Sequence, residues 1–391
     1  MRILVLPSFY PTEMDYPRGS FFEEQTILLR KNGVDAVVLH QESRSIVGIT
    51  LKKLLKFHFQ STYFERNGVP VYRKCFWNLI PTKFLLGNKI WIWSCFNHLK
   101  DYIKKYGKPD LIHAHCIFNG GIVAQIAKEK FDIPFIITEH TTMYGKKVLS
   151  NYEKSTAFKV FDSAKSVIVV SNPFKKLLSE SIGFNINRIN VIPNFIDTDF
   201  FNSEISGEIQ LQKDWKYIFA CSYHIQDKRI DRLIEAFYLI KNDFQDIHLV
   251  IGGEGEKTNY LKDLVIKLGL EKSIHFVGFL LKDKVRDYMA KSIVFCLPSD
   301  VETFGVVLIE ALSLGIPIIS TKCGGPEDII NGEVGILAEK STDSIKNALL
   351  FILNNRKNYD KEKLRRYVLN NFSGNVVTKK YIDLYTNCCT V

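Results

Sequence analysis

The chain of 391 residues has no uninterrupted apolar run near the roughly 18–20 residues that a membrane-spanning helix needs. Its start, MRILVLPSFY, reaches proline too early for the apolar stretch of a signal peptide, so a cytoplasmic protein is expected. The eight cysteines include no Cys-x-x-Cys pair, and several fall in apolar, strand-like runs. That pattern argues against a disulfide framework or a zinc site and predicts reduced, buried thiols. Cys388-Cys389-Thr390-Val391 lacks the aliphatic pair of a prenylation box and reads as a frayed end. Tandem short repeats and low-complexity tracts are missing too. The loop Gly252-Gly253-Glu254-Gly255-Glu256-Lys257-Thr258 does not meet the G-x4-G-K-[ST] pattern, which removes support for ATP hydrolysis. No Asp-x-Asp run is placed to present a divalent cation to a diphosphate.

What is present is the composition of a soluble globular protein, 46% hydrophobic and 24% charged. Its length exceeds one comfortable core and suits two domains. The net charge of +10 is concentrated: residues 44–108 hold 13 Lys or Arg against 2 acids, Glu65 and Asp101, an excess of 13 − 2 = +11. Phe57, Phe59, Tyr63, Phe76, Trp77, Trp91, Trp93 and Phe96 are interleaved with these cations. Lysines beside aromatic faces suit an anionic membrane surface, where rings add buried area and cations meet lipid headgroups. A nucleic-acid partner is not expected, because no recognised nucleic-acid module accompanies the basic stretch.

Short apolar runs alternate with helical patterns through both halves, the rhythm of βα units winding a parallel sheet. Strands are expected at Ile3–Leu6, Ala36–Leu39, Leu111–Ala114, Phe135–Thr138, Ser166–Val170 and Asn190–Ile192. A second set is expected at Tyr217–Cys221, His248–Ile251, Ile274–Val277, Ile293–Leu297, Ile316–Ser320 and Gly335–Leu337. The turn-rich segment from Pro193 to Phe201 separates the two sets. The stretch 44–108 does not follow the rhythm and is assigned to the outer face of the first domain. In open parallel sheets, ligands bind beyond the carboxyl ends of the strands.

The stretch from Ile293 to Gly335 carries the most chemistry. A buried strand ends at Leu297, and a helix is expected from about Gly305 to Leu314, stopped by Gly315. Thr303, Phe304, Gly305 and Val306 then occupy the helix start, where unpaired N–H groups and the positive dipole end favour a phosphate. Glu302 precedes that start, and Glu310 lies over one turn into the helix. A carboxylate accepts two hydrogen bonds at once, so Glu310 suits the paired hydroxyls of a ribose and Glu302 those of a sugar.

The E-x7-E pair in this setting resembles the retaining glycosyltransferases of family 4. The resemblance spans nearly the whole chain. It rests also on Phe9-Tyr10-Pro11 with Gly19, His113-Ala114-His115, Thr138-Glu139-His140, Val170-Ser171, Ile192-Pro193-Asn194, Lys228 ahead of Ile234-Glu235-Ala236, Gly252-Gly253-Glu254-Gly255, and Phe276-Val277-Gly278.

The fold implied is α/β, GT-B, with two Rossmann-like doubly wound domains facing a central cleft. Residues 1–194 would form the acceptor-binding domain and 195–370 the nucleotide-sugar-binding domain, with the 371–391 helix packing back toward the first. The resemblance implies Glu310 on the ribose, Glu302 on the transferred sugar, and the amides from Thr303 to Val306 on sugar and diphosphate. Gly19 would let the first domain's backbone approach the diphosphate, and Gly278 and Phe279 would lie beside the base. Lys228 would neutralise the diphosphate. Five residues earlier the family usually places an arginine, and here that position is Tyr223; His224 or Arg229 could supply the missing charge. His140 would contact the donor sugar near the reacting carbon. His113 and His115 point to one side of a strand, but two ligands make a poor metal site.

The reading is a retaining, metal-independent glycosyltransferase without cofactor, moving a sugar from a nucleoside diphosphate sugar, UDP favoured over GDP. Its acceptor would be a glycan or lipid-linked molecule of polysaccharide or lipopolysaccharide synthesis at the inner membrane face. A nucleotide-sugar epimerase on the same fold, or a nucleotide-sugar-binding subunit without activity, are the rivals.

Overall fold

The computed structural model describes residues 1–11, 19–45, 60–78, 84–145, 149–202, 207–212 and 214–389. The chain forms two compact units. One comprises Met1–Val170, Lys175–Ile192 and the residues from Thr378 onward; the other comprises Ser171–Phe174 and Pro193–Val377.

The first unit is built on an eight-stranded sheet of β1 (Arg2–Pro7), β2 (Asp35–Ser45), β3 (Ser61–Arg66), β4 (Val69–Asn78), β5 (Leu111–His115), β6 (Phe135–Glu139), β7 (Ser166–Val169) and β8 (Ile189–Val191), in the order β3-β4-β2-β1-β5-β6-β7-β8. All neighbours are parallel except β3 and β4, which pair antiparallel as a hairpin. Strands β5 and β6 are buried at every residue, as a parallel sheet covered on both faces requires.

The stretch 44–108 departs from its expected role as an outer covering. Its hairpin extends the sheet, because β4 runs parallel to β2 from Val38↔Val71 to Ser45↔Asn78. A helix, Phe84–Tyr106, follows. Phe76, Trp77 and Trp91 are core residues here, while Tyr63 and Trp93 are 56% and 69% exposed. The apolar content that masked the strand-helix rhythm is therefore partly core. Phe57 and Phe59 lie outside the described residues.

A buried strand that carries histidines must satisfy their nitrogens. His113 Nδ1 meets the Tyr385 hydroxyl at 2.7 Å, and its Nε2 meets Thr138 Oγ1 at 2.8 Å. Tyr385 and Tyr381 stand one helical turn apart on the helix Gly374–Cys389, and both are buried in this unit.

The second unit holds a six-stranded parallel sheet of β9 (Lys216–Cys221), β10 (Ile247–Gly252), β11 (Ile274–Gly278), β12 (Val294–Leu297), β13 (Ile318–Thr321) and β14 (Gly335–Ala338), ordered β11-β10-β9-β12-β13-β14. The helix Ile230–Ile240 contributes Leu233, Ile234, Phe237 and Ile240 to a core shared with Ile218, Ala220 and Leu249. That spacing is the apolar stripe of an amphipathic helix.

Beyond β12 and β13, two loops lie backbone against backbone. Glu302 N donates to the Cys323 carbonyl at 2.9 Å, and Gly325 N donates to the Glu302 carbonyl at 2.9 Å. A Cβ on Gly325 would sit 2.1 Å from Phe304 Cα, so only glycine fits.

Two stability changes follow. Gly325→Ala is expected to cost on the order of 3 kcal/mol through overpacking against main chain, read as a lower thermal midpoint. Tyr385→Phe, which leaves His113 Nδ1 unpaired, is expected to cost about 1–3 kcal/mol in denaturant unfolding, whereas Trp93→Ala on the surface should stay within about 0.5 kcal/mol.

Candidate functional site

The second unit gathers most of the expected site residues at the carboxyl ends of its strands. Glu302 follows β12 and is largely buried. Its Oε1 accepts from Lys228 Nζ at 2.6 Å and from Ser299 Oγ at 2.8 Å. Ser299 is fixed in turn, since its carbonyl accepts from Thr321 Oγ1 at the end of β13. Lys228 lies in the turn between β9 and the helix Ile230–Ile240, and that turn is tied to the Glu302 loop by Asp300 N donating to the Asp227 carbonyl at 2.8 Å. The carboxylate and the ammonium thus reach one point from two loops, each loop held by main-chain bonds.

The helix after Glu302 runs Val306–Ser313 and is capped by Gly305 at φ 95°. That left-handed conformation strains any residue with a side chain and turns the chain so that the first helical N–H groups have no side-chain cap. Phe304 is buried beneath and secures the turn, while Thr303 and Val306 are part-exposed. The Thr303 carbonyl accepts from Ser171 Oγ at 2.7 Å.

Glu310 is part-exposed, and it acts on Cys221 at the end of β9. Burial chiefly, with the Glu310 charge adding, pushes the Cys221 thiol up to about 12 and keeps it protonated at neutral pH. Glu310 therefore lies within electrostatic reach of the carboxyl end of β9. Gly278 ends β11, its carbonyl accepting from Gly253 N at 2.7 Å, and Phe279 beside it is 53% exposed.

The two groups considered for the missing charge are engaged elsewhere. Arg229 forms a two-pronged pair with Asp231, at 3.1 Å from Nε and 3.0 Å from Nη2, and its Nη1 lies 3.2 Å from Asp300. Arg232, buried behind it, holds the other Asp300 oxygen at 2.9 Å. His224 is 1% exposed and its Nδ1 bonds Thr258 Oγ1 at 2.9 Å; burial lowers its pKa, so it is neutral. Tyr223 is 64% exposed. Among these side chains, Lys228 alone brings a cation to Glu302.

The first unit places Gly19 at φ 86° as the cap of the helix Ser20–Lys31, packed under Phe9 and Tyr10. His140 leaves the end of β6. Its ring stacks with His115 at 5.5 Å between centroids and meets Phe21 and Phe22 edge-on at 4.9 and 5.5 Å. Burial among these rings pushes His140 down to about 3, and the imidazole stays neutral. Glu139 does not share its exposure. It is fully buried, with Oε1 accepting from His140 N and Thr141 N, both at 2.9 Å, and Oε2 from Ile117 N at 2.9 Å and Tyr144 Oη at 3.2 Å. Burial raises its pKa against the pull of these four donors. One carboxylate thereby fixes the chain at His140 and the turn after β5, where Cys116 (φ 63°, ψ 140°) and Asn119 (φ 79°, ψ −88°) adopt costly backbone angles.

The sequence contains one Asp-x-Asp, Asp197-Thr198-Asp199, and it serves a turn: Asp197 Oδ1 accepts from Asp199 N and Phe200 N at 3.0 Å. Among the described residues no three His, Cys, Asp or Glu side chains gather to hold a metal ion. No helix among them is long and apolar enough to cross a membrane. Ser299, Gly324 and Gly325 were not singled out from sequence, although Gly-Gly before Pro-Glu marks a turn; Ser299 carries no signal of its own.

Two family models match consecutive parts of the chain, Glycosyltransferase Family 4 over residues 29–200 and Glycosyl transferases group 1 over 202–371. TuaC of Bacillus subtilis (strain 168), a glycosyltransferase named for teichuronic acid biosynthesis, is 28% identical over 365 residues, 89% of this chain and 88% of TuaC. A sucrose-phosphate synthase from Thermosynechococcus elongatus superposes with a TM-score of 0.80 at 18% identity, covering 99% of both chains. Anabaena Alr3699/HepE, solved in complex with UDP, superposes at 0.74 with 19% identity over 99% of this chain and 100% of its own. With both halves matched in order and the fold shared end to end, the chain belongs to the family 4 glycosyltransferases of the GT-B fold.

Proposed function

We propose that the protein is a retaining, metal-independent glycosyltransferase that takes a sugar from a nucleoside diphosphate sugar, UDP-linked in preference to GDP-linked, and adds it to a cell-surface polysaccharide or its lipid-linked precursor. The observation that carries this reading is the Lys228–Glu302 pair at 2.6 Å beside the Gly305-capped helix start. A cation, a carboxylate and free amide N–H groups within one loop cluster supply what a diphosphate joined to a sugar needs. The ammonium and amides meet the phosphate oxygens; the carboxylate meets sugar hydroxyls.

In this mechanism Lys228 leaves Glu302 for the diphosphate, which frees Glu302 Oε1 for the transferred sugar. Glu310 holds the ribose, and Gly278 and Phe279 flank the base. As the glycosidic bond breaks, negative charge grows on the leaving diphosphate. Lys228, once moved onto the diphosphate, and the amides from Thr303 to Val306, held in place by the loop, stabilise it. The lysine takes the counter-charge role a metal would otherwise play. Retention follows from attack on the face the diphosphate leaves, with the departing phosphate accepting the acceptor's proton, so no protein nucleophile is needed.

The UDP preference draws on HepE, solved in complex with UDP, and the acceptor class on the name of TuaC. The basic first unit supports a lipid-linked acceptor at an anionic membrane surface. On the helix Phe84–Tyr106, Lys89, Trp93, Lys100 and Lys104 lie on one exposed stripe, and Lys100 stands over Phe96 at 5.8 Å. An epimerase of the same fold would leave that stripe and the acceptor without a role.

A thermal-shift screen across nucleotide sugars tests the donor: UDP-sugars should raise the midpoint. Glu310→Ala should lose about 1.5–3 kcal/mol of donor binding, roughly ten- to hundredfold, and Lys228→Ala at least as much. Wild-type affinity in Glu310→Ala would sink the ribose assignment, and a product of inverted anomeric configuration would sink retention. Vesicle flotation tests the membrane face. Binding to phosphatidylglycerol-containing vesicles should exceed binding to neutral ones and fall with salt and in Trp93→Ala; equal flotation on both would remove it.

A further inference from the structure

Lys228 Nζ lies 2.6 Å from Glu302 Oε1, with 23% and 12% of the two side chains exposed. Neither group is freely hydrated, so each answers much of the other's charge. The loops that carry them bring no spare cation. Residues 222–229 and 298–305 hold 2 cations, Lys228 and Arg229, against 3 carboxylates, Asp227, Asp300 and Glu302. Arg229 is divided between Asp231 and Asp300, and Arg232 holds the second oxygen of Asp300. His224 in the first of these loops is buried and neutral.

An anion placed against Lys228 therefore meets an ammonium whose charge is already answered. It either draws the ammonium away from Glu302 or shares its three N–H groups with Glu302. In the first case a mostly buried carboxylate loses its counter-ion; in the second, a carboxylate stands beside the anion. Both oppose binding, one by loss of a charge-assisted bond and the other by repulsion of like charges.

A new donor to Glu302 removes that penalty. Its Oε1 accepts from Lys228 and from Ser299 Oγ at 2.8 Å, and the serine alone is a neutral donor. Hydroxyls of a sugar on the diphosphate would bond the carboxylate in place of the ammonium. A bare nucleoside diphosphate has no such hydroxyls, and its terminal phosphate carries about 1.5 to 2 negative charges at neutral pH, where a sugar ester carries about one. Both differences act against the bare nucleotide.

We propose that Glu302 makes the second unit discriminate between a nucleoside diphosphate sugar and the bare nucleoside diphosphate left after transfer, by holding the charge of Lys228 unless sugar hydroxyls take its place. The inference rests on the reading that this unit binds a nucleoside diphosphate sugar, and goes beyond it in assigning product release to the same ion pair. Transfer moves the sugar from the diphosphate oxygen to an acceptor oxygen, whose proton passes to the departing phosphate and on to solvent. Departure of the glycosylated acceptor then takes the hydroxyls from Glu302 and leaves the added charge against Lys228.

Isothermal titration of the full chain in metal-free buffer, with UDP and with UDP-glucose, reads the two affinities. Wild-type protein should bind UDP-glucose at least about tenfold tighter than UDP. In Glu302→Gln, which keeps the shape and loses the charge, UDP should bind about three- to tenfold tighter and UDP-glucose about threefold weaker, so that the preference is lost. A UDP affinity that Glu302→Gln leaves unchanged or lowers overturns the proposal. Glu302→Ala, which retains the main-chain bonds of residue 302 to Cys323 and Gly325, serves the same comparison should Glu302→Gln not fold. GDP and GDP-mannose are titrated alongside, and the pair that the wild type binds carries the comparison. Binding of none of the four overturns the nucleotide-sugar reading and the inference with it; a bound pair whose two members respond alike to the substitution overturns the inference alone.

Discussion

Backbone laid on backbone beyond β12 and β13 is the constraint from which the donor side of this molecule is built. Gly324 and Gly325 let their loop touch the main chain of Glu302 and Phe304, with Glu302 N and O both bonded across. A loop so fixed pays little entropy to hold a side chain in place. Glu302 then needs only Ser299 and Lys228 to set its carboxylate, and Gly305 can hold a left-handed turn that aims the helix start outward. Preorganised donors of this kind act without reorganising when charge develops.

The first unit solves a similar problem with a side chain. Glu139 is a carboxylate with no exposure, and it spends its four hydrogen bonds on two turns and a tyrosine. Burying a carboxylate costs several kcal/mol unless its acceptor sites are filled, and here they are filled by groups whose positions matter for His140. Tyr385 and Thr138 satisfy His113 in the same strand layer. The histidines of this layer are thus anchored from the helix Gly374–Cys389 at one end and from Glu139 at the other.

The strand-helix rhythm was legible in the sequence because parallel strands buried on both faces must be continuous apolar runs, and runs such as Phe135–Thr138 or His248–Ile251 have no other use. Glu302 and Glu310 stand out in the sequence as carboxylates around one helix start, and Lys228 only through the family resemblance; the 2.6 Å pair of Lys228 with Glu302 is what the structure adds. The hairpin Ser61–Asn78 was not legible, since its alternation of Arg, Lys and aromatic residues looks the same whether the rings face a membrane or a core. Only the pairing of β4 with β2 shows that Phe76 and Trp77 face inward.

Arg229 and Glu139 mark the deeper limit. From the sequence each is a charged residue next to a site, and each could touch a ligand. What decides is the partner: Asp300, 71 residues along the chain from Arg229, and Ile117, 22 residues from Glu139, with the nearby Tyr144 as a further donor to Glu139. Arg229 beside two carboxylates adds no net positive charge to the phosphate position. Under the proposed function, Lys228 and the amides from Thr303 to Val306 are left to answer the growing charge of the leaving group. On that reading, one lysine and helix-start amides are the electrostatic means left to the second unit, whose usual arginine position is occupied by Tyr223.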